Sequence, residues 1–311
     1  MLQVPSRSMQ RRGLARRVGS ENIAALLFLS PFLLGLILIV AGPMLTSLYF
    51  SFTNYTASGT AKWVGFDNYV RAFTKDPRFW RAATTTGLYV LLAVPTVIVF
   101  ALLLAALLNR GVRGLTLYRA MFYVPSLIGG SVAIALLWRR IFGANGLLNA
   151  GLGMVGIEVQ TSWIGSPSTS LMTLVVLHGW QFGSAMIIFL AGMRQIPQSY
   201  YEAAIIDGAT KFQCFFKITL PLLTPLILFS TVMNTVAAFQ AFNAAYVVSA
   251  GSGGPADSLL FFTLYIYQQG FVNFNFGYAS ALGWLLIVAI AAAVSMLLLA
   301  TRRFIHYGEN A

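Results

Sequence analysis

The stretch Ile196–Ile227, IPQSYYEAAIIDGATKFQCFFKITLPLLTPLI, decides how the rest of the chain is read, because it interrupts long apolar runs with two short helices. Pro197 and Ser199 mark a helix start, and Ser199 with Glu202 spells an S-x-x-E capping box. Gly208 supplies a backbone position that takes positive φ, which ends the first helix and turns the chain. Ala209–Ile218 reads as a second short helix, and Pro221 opens the following apolar run where a missing N–H costs nothing. Ala203 and Ala204 are small enough to allow close approach. The apolar Ile205, Phe212, Phe215 and Phe216 have too little chain around them to be covered, so this helix–turn–helix predicts a protein partner.

Working outward, the 311 residues are 58% hydrophobic and only 9% charged, with 20 Lys and Arg against eight Asp and Glu. A soluble domain carries about 25% charged residues, so the principal solvent of this chain is lipid. Six stretches are long and apolar enough to cross a bilayer: Ile23–Met44, Thr85–Leu108, Met121–Phe142, Ser170–Gly192, Leu222–Val248 and Ala279–Ala300. They lack the alternation of barrel strands, and unpaired backbone is not tolerated in hydrocarbon, so they are predicted to be helices. The first run is a full span without a small-residue cleavage site, and reads as a retained helix behind a basic tail.

Positive residues orient the spans. With the tail inside, 13 of the 20 Lys and Arg fall on cytoplasmic segments, including Arg11, Arg12, Arg110, Arg113, Lys211, Lys217, Arg302 and Arg303. Residues 143–169 and 249–278 on the other side hold none. Both termini are therefore placed in the cytoplasm. The basic Thr53–Thr84 segment is an exception; its interleaved aromatic and charged residues read either as a covered loop or as an interfacial helix that receives an external partner. The positive charge is dispersed between apolar runs, which excludes nucleic acid as the partner. One cysteine, Cys214, and two scattered histidines exclude a disulfide and give no metal site.

The pattern Glu202-Ala203-Ala204, Asp207-Gly208-Ala209, then Ile218-Thr219-Leu220-Pro221 resembles the signature loop of ABC importer permeases, with no required position departing from it. Further stretches (LFLSPFLLGLILIV in the first span, VGFDNY after it, SGGP at Ser252–Pro255, FGYASAL at Phe276–Leu282) are similar to the maltose, lactose and glycerol-3-phosphate permease group. The likeness runs from Ala25 to Arg302. It implies an all-α integral membrane fold, a six-helix bundle with a cytoplasmic helix–turn–helix coupling loop. Residues 1–22 would be the basic tail and 23–81 the first transmembrane helix with the external amphipathic segment. Residues 82–302 would be the permease core with the signature loop at 196–221, and 303–311 the cytoplasmic C-terminus.

The resemblance implies a bacterial or archaeal inner-membrane protein paired with a second homologous permease, an ABC ATPase dimer and an extracytoplasmic solute-binding protein, in contact with membrane lipid. ATP would be used by the partner ATPase; this chain binds no cofactor and carries nothing like G-x-x-x-x-G-K-[ST]. In that family the loop docks on the ATPase, which assigns coupling to Glu202, Ala203, Ala204, Asp207, Gly208, Ile218, Leu220 and Pro221. Glu202 serves as a capping residue at the same time.

The cargo implied is an oligosaccharide, glycoside or polyol phosphate. Sugar sites need hydroxyl-pairing groups and flat aromatic faces within a bundle. The family's offsets place these on Trp180, Gln181, Ser184, Gln240 and Asn243, residues that otherwise make interhelical hydrogen bonds. Leu177 stands where the maltose type is polar, which argues against maltose. His178, without an intramembrane carboxylate, is expected to be an interior residue with one hydrogen-bond partner. An ion-gradient-driven secondary transporter is the alternative, disfavoured by the missing carboxylate and by the loop; a membrane glycosyltransferase would need a carboxylate or histidine constellation that the sequence lacks.

Overall fold

A computed structural model of the chain describes residues 25–57, 59–109, 111 and 114–301. The tails expected at 1–22 and 303–311 lie outside the described residues. All regular structure among those described is helical, apart from a single bridge between Thr53 and Trp63.

The first helix, α1, spans Ala25–Ser51, seven residues beyond the expected end at Met44. Pro43 does not stop it because a π turn at Leu36–Ala41 widens the helix just before the proline, and the Gly42 amide reaches back to the Ile37 carbonyl. A surface helix α2 (Asp67–Thr74) follows, resolving the Thr53–Thr84 segment in favour of a helix with a polar and an apolar face. The long helix α3 (Pro77–Leu108) comes next, then α4 (Leu115–Ile128), α5 (Val132–Ile141) and α6 (Leu147–Met154). After a loop come α7 (Ser170–Trp180) and α8 (Gly183–Gln195). The helix–turn–helix comes after them with α9 (Gln198–Ile206) and α10 (Lys211–Cys214), before α11 (Thr224–Phe239) and α12 (Asn243–Val248). The chain closes with α13 (Phe262–Tyr267) and α14 (Phe276–Thr301).

Four helical segments are individually long and apolar enough to span a bilayer: α1, α3, Thr224–Val248 and α14. The α4–α5 and α7–α8 pairs qualify only as bent units, with bends of 98° and 42°. The span expected at Met121–Phe142 is thus a sharply bent pair that begins earlier, at Leu115. Gly129 and Gly130 turn the chain, and Ser131 restarts it by accepting the Ile134 amide at 3.3 Å.

α3 is the central post. Its buried residues recur at helical spacing (Ala82, Thr86, Tyr89, Ala93, Val97, Ala101, Ala105, Leu108), and its alanines let α7, α8 and α11 approach closely. The outward surfaces are apolar: Phe28 is 88% exposed, and Leu91, Met296 and Leu299 also face outward. Such a surface requires lipid rather than water.

One end of the bundle is tied by Asp76, the N-cap of α3. One carboxylate oxygen accepts the Arg78 and Phe79 amides at 3.0 and 3.2 Å. The other accepts the Tyr265 and Tyr278 hydroxyls, both at 2.5 Å. Burial raises the Asp76 pKa, but these four hydrogen bonds outweigh it and hold the carboxyl below its ordinary range. Arg71 of α2 lies 4.2 Å from the centre of the Tyr278 ring. Asn68 donates to the Ser51 and Thr53 carbonyls, fastening α2 to the end of α1.

The close fit around α3 gives a direct expectation. Ala93→Leu places three extra carbons at a position with 0% exposure, and overpacking of this kind costs about 1–3 kcal/mol. Its thermal unfolding midpoint in mild detergent falls, whereas Leu91→Ala, at a position 69% exposed, leaves it nearly unchanged.

Candidate functional site: a protruding helix–turn–helix and a cluster of helix breaks

The Ile196–Ile227 segment forms the expected pair of short helices around a turn. Gly208 has φ +78°. Its amide donates to Ile205 O at 3.0 Å and the Ala209 amide to Ala204 O at 2.8 Å. These are the two bonds of a Schellman motif, with Gly208 in the left-handed position. A Cβ here would meet no neighbour, so the requirement for glycine is conformational.

The capping box is not the one expected. α9 begins at Gln198 behind Pro197, which places Ser199 inside the first turn, and no side chain caps that end. The box forms instead on α10, where Thr210 accepts from the Gln213 amide and the Gln213 side chain accepts from the Thr210 amide. Glu202 is left exposed and without a hydrogen-bond or salt-bridge partner among the described residues. The second helix also runs further than Ala209–Ile218. It continues through a π turn at Phe215–Thr219 into Leu220–Leu222, so Pro221 lies within this run and the next helix starts at Thr224. The π turn carries the Leu220 amide back to Phe215 O, the same widening that precedes Pro43.

A contact that sequence reading missed joins the two legs: the Tyr201 and Thr219 hydroxyls lie 2.8 Å apart. Between the legs is a cavity of about 370 Å³ lined by Ala204, Asp207, Gly208, Gln213, Lys217 and Ile218, among others. Ile206 is 86% and Phe212 72% exposed, and Phe212 packs on Phe216 at 4.6 Å. This element therefore presents Glu202 and Asp207 beside an apolar surface that the chain itself does not cover.

Away from this element three helix breaks meet, where Gly129 is buried and Gln181 half-buried while Gly130 and Asn243 are exposed. α7 ends at Trp180, and Gln181 donates from Nε2 to Leu177 O at 3.2 Å. The Gln181 side chain lies against Gly129, where a Cβ would overlap its Cγ and Cδ atoms and approach Pro125 O to 2.7 Å. Asn243, which opens α12 after the break at Gln240–Phe242, donates from Nδ2 to Gly130 O at 3.2 Å. The Gly129–Gly130 kink thus brings Gln181 and Asn243 to adjacent peptides. Trp180 lies 5.9 Å from Trp138 of α5, whose Nε1 donates to Thr173 O at 2.8 Å. Ser184 and Gln240 are exposed, with no side-chain hydrogen bond joining them to this cluster.

His178 departs from expectation: its Nε2 is buried without a hydrogen-bond partner among the described residues, and the ring makes a T-shaped contact with Tyr89 at 5.8 Å. Sequence reading alone does not single out Gly129, Gly130 or Trp138. The Gly-Gly-Ser triplet inside an apolar run is the local signal that marks the kink. No cluster of three or more His, Cys, Asp or Glu suited to a metal occurs among the described residues.

Apolar helices long enough to cross a bilayer, together with a small element protruding at one end, define a multi-pass membrane protein. Residues 69–306 match the family described as binding-protein-dependent transport system inner membrane component, and the chain belongs to that family. It is accordingly an inner-membrane ABC permease. It is 45% identical over 293 residues to the probable ABC transporter permease protein YesP of Bacillus subtilis (strain 168), covering 94% of this chain and 95% of that one. The lactose transport system permease protein LacF of Rhizobium radiobacter is 34% identical over 270 residues, covering 85% and 89%. The fold matches a bacterial alginate ABC transporter, solved in complex with an alginate pentasaccharide-bound periplasmic protein. That match has a TM-score of 0.72 at 23% identity, over 91% of this chain and 96% of that one.

The Gly129–Gly130 kink separates two substitutions that look alike in sequence. Gly129→Ala displaces Gln181, lowering solute uptake by reconstituted transporter severalfold. Gly130→Ala, where a Cβ meets nothing within 4 Å, leaves uptake near the parent rate.

Proposed function

We propose that this permease forms half of the translocation pathway for a sugar (an oligosaccharide, glycoside or polyol phosphate) and is driven by a separate ATPase docked on residues 196–221. The observation that carries the reading is the helix–turn–helix. An acidic residue without an intramolecular partner among the described residues, Glu202, stands beside exposed Ile205, Ile206 and Phe212 on a rigid, Schellman-closed turn. Such a knob suits insertion into a cleft on another protein, with Glu202 facing a basic group there. Asp207, Gly208, Ile218, Leu220 and Pro221 fix its shape, and Ala203 and Ala204 let the partner approach.

Sugar as cargo is supported by the named lactose relative and by the alginate transporter of like fold, each a carrier of carbohydrate by its own description. It is also supported by the interior chemistry: Trp180 and Trp138 offer flat faces beside the amides of Gln181 and Asn243, with Ser184 and Gln240 exposed nearby in sequence on α8 and at the α11–α12 break. The excess of Lys and Arg on one set of loops supports cytoplasmic termini, which puts the helix–turn–helix on the ATPase side. The Asp76 end then faces the extracytoplasmic solute-binding protein. A second homologous permease would complete the pathway.

Glu202→Ala leaves the chain inserted and assembled but lowers ATP-driven uptake about tenfold or more, since one charge-assisted contact is worth about 1.5–3 kcal/mol. Gly208→Ala adds about 1–2 kcal/mol of left-handed strain to the same element and weakens coupling in the same direction. Gln181→Ala and Asn243→Ala alter uptake or solute preference while ATPase assembly persists. Uptake measured in proteoliposomes, with ATPase retention checked by co-purification, decides both. Parent-like uptake in the Glu202 variant removes the coupling assignment, and parent-like kinetics in both interior variants remove the substrate assignment.

A further inference from the structure

Between α12 and α13 the backbone is unusually contorted. Ala250, Ala256 and Asp257 have φ of 51°, 52° and 55°, alongside three left-handed glycines, Gly251, Gly253 and Gly254. Glycine adopts this region freely and aspartate tolerates it, but alanine does so only where surrounding contacts impose it, so the strain lies at Ala250 and Ala256. Here the contacts are identifiable. The Arg78 guanidinium donates twice to the Asp257 carboxylate, at 2.9 and 2.8 Å, and Arg81 donates to Ala256 O at 3.2 Å. Gln268 donates to Gly251 O at 2.7 Å.

Past the contorted segment the chain is driven into the bundle. Leu259, Leu260, Phe261 and Phe262 are buried. The Ser258 hydroxyl lies 2.7 Å from that of Ser170, at the start of α7. The Phe262 amide donates to Thr86 of α3 at 2.8 Å, and the Phe261 ring lies 4.6 Å from Tyr89. Thr263 donates to Ala241 O at 2.6 Å, inside the break that precedes Asn243. The segment therefore closes the bundle between α3, α7 and the α11–α12 break. It does so at the end opposite the helix–turn–helix, because α3 and α7 both begin here and α8 runs on from α7 to the far end.

The geometry points to the Arg78–Asp257 pair as a latch: it holds residues 250–262 in a strained, inward-folded conformation that closes the outer end of the translocation pathway, and its release opens that end to solute. This rests on the transport reading given above. A permanent brace would be buried and relaxed. This pair is neither: the Arg78 and Asp257 side chains are both partly exposed, within reach of a docking protein, and the backbone it pins is strained. Exposure makes the ion pair weak, and strain narrows the gap between the closed and released states. Arg78 and Asp257 are thus positioning residues, acting on the pathway through Thr263 and Ser258.

The test uses the intact complex, purified from native membranes with its ATPase, second permease and solute-binding protein and reconstituted in liposomes. ATP hydrolysis per assembled complex is measured without and with solute-loaded binding protein, alongside the thermal midpoint. Asp257→Asn retains a residue type that tolerates left-handed φ and removes only the charge. It and Arg78→Gln raise hydrolysis in the absence of binding protein by about threefold, the shift expected from losing an exposed ion pair. Ala256→Gly keeps the pair but relieves the strain, so it acts in the opposite direction and lowers stimulated hydrolysis about twofold. The exchange Arg78→Asp with Asp257→Arg returns the unstimulated rate toward that of the parent. Lowered thermal midpoints with unchanged hydrolysis per complex would overturn the latch, as would Ala256→Gly moving in the same direction as Asp257→Asn. A parent complex whose hydrolysis ignores its binding protein would instead overturn the transport reading on which the latch stands.

Discussion

A backbone carbonyl or amide surrounded by hydrocarbon has no water to fall back on, and each one left unpaired costs several kcal/mol. The helix interruptions inside this bundle are consequently covered by specific side chains. Asn243 donates to Gly130 O at the α4–α5 kink, and Gln181 to Leu177 O at the α7–α8 bend. Thr263 donates to Ala241 O at the α11–α12 break. The residues that repair the breaks are therefore the polar side chains of Gln181, Asn243 and Thr263, gathered at the kinks. A pathway for a hydroxyl-rich solute needs the same chemistry.

The two ends of the bundle are built differently. At one end the chain is tied inward by long-range pairings: Asp76 to Tyr265 and Tyr278, Arg78 to Asp257, Arg71 over Tyr278. At the other end the helix–turn–helix is held by short-range devices, a Schellman turn, a capping box and a hydroxyl pair between its legs, and its apolar surface points away from the chain. A rigid element with an uncovered face is suited to transmitting displacement from a partner. At the opposite end the Asp76 pairings hold the frame, and the part-exposed Arg78–Asp257 pair is the tie a second partner can reach.

This difference also governs how much of the structure is legible in the sequence. Spans such as Thr85–Leu108 and Ala279–Ala300 are visible from apolar length alone, and Gly208 from its place between two short helices, because both signals are local. The Gly129–Gly130 kink is not, since the apolar run continues across it and only the Gly-Gly-Ser triplet marks the turn. The end of α1 escapes hydropathy because a π turn carries the helix past Pro43. The capping box sits at Thr210–Gln213 rather than Ser199–Glu202 because Pro197 already starts α9, leaving Ser199 too deep in the first turn. The Asp76 cluster lies beyond local reading altogether, since its tyrosines are 189 and 202 residues away. Of the proposed pathway residues, Gln181, Asn243 and Trp180 converge on the breaks, whereas Ser184 and Gln240, exposed like Asn243, make no side-chain hydrogen bond there.

The central claim, that this permease works only as part of an ATP-driven, binding-protein-dependent assembly, is tested most directly by capturing the chain from native membranes in mild detergent. The proteins that accompany it are identified, and solute uptake is measured in the same cells as ATP is depleted. The account predicts recovery of an ATPase, a second permease bearing the same loop and a solute-binding protein, with uptake lost as ATP falls. A chain that purifies alone, with uptake that survives ATP depletion but collapses with the ion gradient, would contradict it.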